Sequence, residues 1–402
     1  MRICAFNHCN VVPPKAGGLI RVYELLTRVS QMEHEVKLYA YGGRRERFDV
    51  DGVQVHLVPN VLRHLTRLGR LLSGGLEGEL ASSVASASFP RMACEADRDV
   101  ANSDIVQVEH VWCSLPPLLY ARKNGKPAIF DDHNVETILV EQYRRMLWKT
   151  RQKGLWLPWL WYVASIERIA CELANTVIAT SETDKILLCK KIGVPATKIE
   201  VIPNGVNTVI YKPSADEGRR VRQMYGISEG DPVLLFLGRG DYPPNRFASE
   251  WIVRELAPKV IEKRPNVKVL IVGRNPPANL TSDTRIVFTG EVDDVTPYIN
   301  AADVCLAPIT VGSGTRIKVL SYMACGKPVI STPEGIEGID VKDGKSGIVR
   351  GLSNFANATW DMLNDSRKRK EIGEQGRLLV QSKYDWQISA RRLDAIYRKL
   401  KT

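Results

Sequence analysis

At 402 residues, with a net charge of +11 and 44% hydrophobic residues, the chain is too long for one ordinary core and suits two or three domains. Charged residues at 25% complete an ordinary globular mix and, with no internal period, exclude a disordered, fibrous or solenoid protein. No apolar run reaches the roughly 18–20 residues of a membrane span, and the cationic excess fits either an anionic partner or a merely basic surface.

The opening MRICAFNHCNVVPP lacks the long apolar region of a signal peptide and reads as a first strand, Arg2 to Phe6. The eight cysteines are scattered, with no C-x-x-C pair, and read as reduced thiols of a cytoplasmic protein. A loop with Pro13, Pro14, Gly17 and Gly18 follows the strand, and Leu19, Val22, Leu25, Leu26 and Val29 then recur at helical spacing. Strands are predicted at 36–42, 53–59, 104–110, 127–133, 176–181 and 199–205, with a long helical stretch from about Val135 through Ala174.

The pattern restarts at PVLLFLG (232–238), apolar throughout as buried parallel strands are. A helix is predicted from about Phe247 to Lys263, and strands at 267–273, 286–290, 303–308 and 328–332. A last helix from about Trp386 to Leu400 carries Ile388, Leu393, Ile396, Tyr397 and Leu400 on one face. Alternating strands and helices predict an α/β fold with parallel sheets, and two such series predict two Rossmann-like domains. The expected division is 1–205 and 206–384, with the helix 385–402 packing back on the first domain.

The segment Asp303 to Thr332 carries the strongest chemical signal. A strand ends at Pro308, Gly312 and Gly314 flank Ser313, and a helix opens near Thr315 and stops at Gly326. Free N–H groups and the macrodipole at such a helix start favour an anion, and glycines let a phosphate approach the backbone. Thr315 is placed to cap the helix and to bond phosphate. Arg316 and Lys318 add positive charge, Arg in a form suited to bidentate contacts. The bland alternative is a tight strand-to-helix turn with surface cations.

This segment resembles the donor-binding region of the retaining glycosyltransferases of family 4, which have the GT-B fold. The resemblance extends in order through the Gly17-Gly18 loop, FDDHNVE (130–136), IPNGVN (202–207), LFLGRGDYPPN (235–245) and the E-G-x-E-G run at 334–338. It implies two facing Rossmann-like domains with an interdomain cleft, and transfer of a sugar from a UDP- or GDP-sugar with retention of configuration and without a metal. No cofactor beyond the nucleotide sugar is implied. Arg239, Gly314, Thr315, Arg316, Lys318 and Ser321 are the expected donor-binding residues, and Gly17 and Gly18 an acceptor or phosphate loop. Two features depart from the family. Ser313 and Ser321 stand where many members carry glutamates, and Pro243-Pro244-Asn245 replaces a lysine-bearing loop. Arg316 and Lys318 are expected to supply the missing charge.

Glu109 and His110, ending a predicted strand, are candidates for orienting the donor sugar or acceptor, and His133 is a second candidate; a structural histidine is the competing reading for each. No D-x-D metal site stands out, and the Asp-Asp pairs at 131–132 and 293–294 have the wrong shape.

YRRMLWKTRQKGLWLPWLWY (143–162) and Arg63, Arg67 and Arg70 combine cations with tryptophans. They read either as a surface for an anionic membrane or as core aromatics beside a solvated face. The family's glycan and lipid-linked acceptors favour peripheral contact with the inner face of the membrane over nucleic acid. Two other functions fit the same fold: a nucleotide-sugar epimerase, which would need a carboxylate cluster around the donor, and a non-catalytic binding protein, which the absence of glutamate at Ser321 favours.

Overall fold

A computed structural model describes the chain except residues 60–90, 149–155, 278–279, 281, 313 and 402. The chain divides into two compact units, Met1–Asn204 with Trp386–Thr402, and Gly205–Asp385.

The first unit is built on an eight-stranded sheet of β1 (Arg2–Asn7), β2 (Glu35–Gly42), β3 (Glu46–Val50), β4 (Val53–Pro59), β5 (Ile105–Glu109), β6 (Ala128–Asp132), β7 (Thr176–Ala179) and β8 (Ile199–Val201), in the order β3-β4-β2-β1-β5-β6-β7-β8. Every pairing is parallel except β3 with β4. The central strands read as continuous apolar runs because helices cover both faces: all five residues of β5 and of β6 are buried. Strand β3 was not among the predicted elements. From Arg47 its sequence RFDV alternates charge with apolar residues, as an edge strand does, and it turns into β4 through Asp51 (φ 47°) and Gly52 (φ 82°). That Asp-Gly pair is the local signal of a two-residue hairpin.

The order of strands decides where chemistry can occur. β1 lies between β2 and β5, so the connections leaving β1 and β5 run to opposite sides and open a crevice at their carboxyl ends. The carboxyl ends of three neighbouring strands are in register, Asn7 opposite Glu109 and Glu109 opposite Asp131.

The predicted helix over 135–174 is resolved as Glu136–Trp148 and Trp156–Leu173, with 149–155 outside the described residues. The start of the first is capped from a distance. Glu167, on the second helix, accepts from the Glu136 and Thr137 N–H groups at 2.6 and 3.2 Å, which satisfies orphan donors and complements the helix dipole. The last helix, Trp386–Lys401, packs on the first helix, Gly17–Ser30, and buries Leu393, Ile396 and Tyr397.

The second unit has a six-stranded parallel sheet of β9 (Val233–Leu237), β10 (Lys268–Val272), β11 (Ile286–Gly290), β12 (Val304–Ala307), β13 (Val329–Ser331) and β14 (Ile348–Val349), in the order β11-β10-β9-β12-β13-β14. Its switch point falls between β9 and β12. The helix predicted from Phe247 begins earlier, at Pro243, because proline at the first helical positions lacks only an N–H that would be unpaired anyway. It continues through a π-helical turn, Ile252–Leu256, to Lys263.

Candidate functional site

In the first unit, the carboxyl ends of β1, β5 and β6 gather His8, His110 and His133. The His110 ring lies 5.0 Å from that of His8 and 5.3 Å from that of His133, and it stacks on Trp112 at 5.9 Å. The backbone forces this arrangement. The His110 N–H still donates to the Asp131 carbonyl at 2.9 Å as an extension of the strand, and His110 then takes φ 74° and ψ 147°. Residues with a Cβ rarely occupy that region, at a cost of order 1–3 kcal/mol, and such strain is concentrated at functional sites. The turned-out ring meets Glu136, with Nε2 3.2 Å from the carboxylate. Burial, with His110 and His133 adjoining, holds the His8 imidazole well below the ordinary histidine range.

Beneath the imidazoles lies a hydrogen-bonded layer. Arg21, with no exposed surface, donates from Nε and Nη2 to the two oxygens of Asp131, each at 3.0 Å, and from Nη1 to Asn204 Oδ1 at 3.1 Å. Glu109, equally buried, accepts from His133 Nε2–H at 2.9 Å and from the Gln107 amide. Among the described residues, Glu109, Asp131 and His133 are the one group whose ligand atoms all lie within 4.8 Å of one another, as a cation site would require. With Asp131 held by Arg21, and Glu109 by Gln107 and His133, the group is a closed network of hydrogen bonds and ion pairs.

Next to it, Asp132 is 2% exposed and has neither carboxyl oxygen hydrogen-bonded. Burial first, then the charges of Glu167, Glu136, Asp184 and Asp131, push its pKa well above the carboxylate range. The folded state therefore favours the protonated acid. This contribution to stability is complete below the ordinary carboxylate pKa and is lost as pH rises from there through the raised folded value. Asp132→Asn, which cannot ionise, is expected to raise stability at about pH 8, by about 1.4 kcal/mol for each pH unit over which the folded state alone keeps the proton. It should also flatten the alkaline decline. Superimposable pH profiles of thermal unfolding for the two proteins would contradict this.

In the second unit the carboxyl ends of β9 and β12 carry the cations. Leu237, ending β9, donates its N–H to the Tyr322 hydroxyl at 2.7 Å, which ties the helix Ile317–Ala324 to that strand end. Gly312 has φ 124°, and a Cβ there would come within 2.8 Å of Arg316 Nη2, so only glycine lets the guanidinium fold over the loop. Arg316 Nη1 donates to the Gly314 carbonyl at 2.9 Å. Arg316, not Thr315, is the N-cap residue of the helix, and it makes no side-chain capping bond; Thr315 lies buried one position earlier. Lys318 Nζ donates to Asn245 Oδ1 at 2.5 Å and lies 4.5 Å above the centre of the Phe236 ring. Arg239, after β9, is ion-paired with Asp241 at 3.0 Å. Ser321 is buried, and its hydroxyl donates to the Ile317 carbonyl one turn back at 3.1 Å.

The sequence-predicted residues thus form two groups, one in each unit. Glu109, His110, His133 and Gly18 come together in the first, and Gly314, Thr315, Arg316, Lys318 and Ser321 in the second. Gly17 and Gly18 are the first turn of the helix Gly17–Ser30 rather than a preceding loop. Sequence reasoning missed His8, Gln107, Arg21 and Tyr397. His8 follows β1 directly and could have been marked from its position at a strand end; Tyr397 lies 290 residues from its partner Gln107 and left no local signal. Of the basic tryptophan-rich stretch, Trp161 is 75% exposed, while Arg63, Arg67, Arg70 and residues 149–155 lie outside the described residues. Among the described residues no helix is long and apolar enough to cross a membrane.

A family model for "Glycosyl transferases group 1" matches residues 231–365, and one for "Glycosyltransferase Family 4" matches residues 16–209. A D-inositol 3-phosphate glycosyltransferase of Kribbella flavida is 23% identical over 421 residues, covering 95% of this chain and 91% of the relative. A GDP-mannose-dependent alpha-(1-6)-phosphatidylinositol monomannoside mannosyltransferase of Mycolicibacterium smegmatis is 28% identical over 218 residues, covering 50% of this chain. The chain spans 56% of that relative's length and 63% of that of an uncharacterized glycosyltransferase of Methanocaldococcus jannaschii. Among solved structures, Anabaena Alr3699/HepE in complex with UDP and glucose aligns with a TM-score of 0.72 at 16% identity, covering 99% of this chain and 100% of that one. WaaG, a glycosyltransferase involved in lipopolysaccharide biosynthesis, aligns at 0.69 and 15% identity, covering 98% and 99%. Two parallel-sheet α/β units with these structural neighbours make a GT-B fold. The two family models together span most of the chain, which belongs to the group 1 glycosyltransferases of family 4.

Proposed function

We propose that the chain transfers a sugar from a UDP- or GDP-sugar to a hydroxyl of a glycan, glycolipid or lipid-linked saccharide, with retention of configuration and without a metal. The observation that carries this reading is Lys318 held on the neutral amide of Asn245 beside the Gly312–Arg316 loop, a cationic site at the carboxyl ends of β9 and β12 that suits a diphosphate. Relatives named as mannosyl and inositol phosphate glycosyltransferases, and a neighbour solved with UDP, support the same donor class.

As the bond from the sugar's anomeric carbon to the diphosphate breaks, its electron pair leaves with the diphosphate. Lys318, Arg316, Arg239 and the loop amides near Gly314 stabilise that charge most in the transition state. The acceptor hydroxyl forms the new bond and yields its proton to the departing phosphate. His110 and His133 orient the sugar or the acceptor, and Glu109, fully buried, holds the His133 ring. Ser321, already bonded within its helix, offers the ribose a neutral contact in place of a carboxylate. Trp161, with Arg145 on the neighbouring helix, belongs to the surface proposed to meet an anionic membrane from the cytoplasmic side.

The test is a panel of UDP- and GDP-sugars, read by thermal shift and then by sugar release or transfer, with and without EDTA. One nucleotide class should raise the melting temperature, and turnover should persist in EDTA. No binding across the panel would overturn the donor reading, and loss in EDTA restored by magnesium would overturn metal independence.

A further inference from the structure

The last helix of the chain reaches the imidazole cluster through side chains alone. The Tyr397 hydroxyl donates to Gln107 Oε1, the Gln107 amide N–H donates to Glu109 Oε1, and Glu109 Oε2 accepts from His133 Nε2–H at 2.9 Å. Tyr397, Gln107 and Glu109 have no exposed surface, and His133 has 5%. The direction of each bond follows from the first. A phenol that donates to the amide oxygen turns the Gln107 NH₂ toward Glu109, and a carboxylate that can only accept requires a proton on His133 Nε2.

The other ring nitrogen, Nδ1, is buried without a hydrogen-bond partner. An N–H left unpaired there would be costlier than a lone pair. Nδ1 faces the first turn of the first helix, and a Cβ on Gly18 would approach it to 3.1 Å. Glycine at that position keeps this side of the ring clear. Within the layer, Arg21 holds Asp131 from the first helix, so the carboxylates of β5 and β6 answer to different partners: Asp131 to Arg21, Glu109 to Gln107 and His133.

We propose that Tyr397 is a positioning residue which, through Gln107 and Glu109, fixes the His133 ring with its proton on Nε2 and its acceptor nitrogen toward the Gly17-Gly18 turn. His133 can then only accept a hydrogen bond on that side, which suits a hydroxyl of the transferred sugar or of the acceptor. The role of the hydroxyl rests on the glycosyltransferase reading; the tautomer does not.

The experiment is long-range ¹H–¹⁵N NMR of the full chain labelled on its six histidines, a number small enough to resolve, with His133→Gln to assign the ring. The wild-type His133 should show a protonated Nε2 and an unprotonated Nδ1 in unliganded protein. Tyr397→Phe, which removes one oxygen and keeps the packing, should give mixed or exchanging tautomers. Gln107→Met should do the same by cutting the chain one step nearer. With a donor and acceptor in hand, Tyr397→Phe should lower kcat by about tenfold, the worth of one buried hydrogen bond, with KM for the nucleotide sugar unchanged. A wild-type ring protonated on Nδ1, or an unaltered His133 signature in both variants, would overturn the proposal. A correct tautomer in a protein that turns over no nucleotide sugar would instead leave the chain of bonds standing and overturn the glycosyltransferase reading.

Discussion

Replacing Lys318 with alanine is expected to weaken nucleotide-sugar binding roughly ten- to hundredfold, the range for losing one hydrogen bond to a charged group. The same substitution should abolish a pH dependence that the wild type shows. Burial, with Arg316 beside it, pushes the Lys318 ammonium down to about 7. Its hydrogen-bond partner Asn245 is neutral and Phe236 offers only its ring face, so Arg316 is the charged group that acts on it. Because the folded value lies below that of an ordinary lysine, the neutral amine predominates above about pH 7 in the unliganded protein.

A diphosphate supplies the negative charge the site lacks and favours the ammonium, so binding above that pH takes up a proton. Wild-type affinity should be level below about pH 7 and fall above it by up to tenfold per pH unit, the slope for one proton. Titration calorimetry from about pH 6 to about pH 9 would show this. A nucleoside diphosphate sugar is the right ligand, since its diphosphate has no group that titrates in this window. Calorimetry in buffers of different ionisation enthalpy would count the proton directly. A flat wild-type profile would remove the linkage, and unchanged affinity in Lys318→Ala would remove Lys318 from the donor site.

Arg21→Leu is expected to destabilise the first unit by about 3–5 kcal/mol, the cost of breaking a buried ion pair from one side. The leucine fills much of the space, so the loss comes mainly from the Asp131 carboxylate, which would be buried without its two bonds from the guanidinium. Arg21→Leu combined with Asp131→Leu should recover most of it, because two apolar residues leave no charge to desolvate. Denaturant unfolding of the single and double variants measures the coupling. With two compact units in the chain, the probe should report on the first alone; far-ultraviolet signal would mix both. Additive losses in the double variant would mean that Arg21 acts through packing or through Asn204 and not through Asp131.

Arg21→Leu and Asp132→Asn address the two ways this chain handles buried acids. Asp131 is paired, and removing the partner is costly. Asp132, one residue on and on the opposite face of the strand, is unpaired and sits among acids, and removing its ability to ionise is expected to help. Adjacent positions on one strand point to opposite faces, so a single Asp-Asp dipeptide meets two environments. From the sequence alone the pair could be weighed only as metal ligands.

Local sequence determined much of this molecule. Alternating apolar runs and helical spacing marked most of the strands, since a buried parallel strand and an amphipathic helix each impose a period on their own residues. The glycine loop at 312–314 was legible because positive φ is a local demand. The edge strand Glu46–Val50 was also locally encoded, by Asp51-Gly52, but its charged residues hid it from a search for apolar runs. What only the tertiary structure decided is which strand ends adjoin. The order β2-β1-β5-β6 is what sets His8, His110 and His133 side by side, and no periodicity states a sheet order. It likewise brought Lys318 onto Asn245, 73 residues away, and Tyr397 onto Gln107, 290 residues away. Ser321 shows the same division: its identity marked a missing acid, but only the folded helix showed its hydroxyl bonded to Ile317. Residue types and local turns follow from forces between near neighbours, whereas a site is made by contacts whose partners the chain sequence leaves far apart.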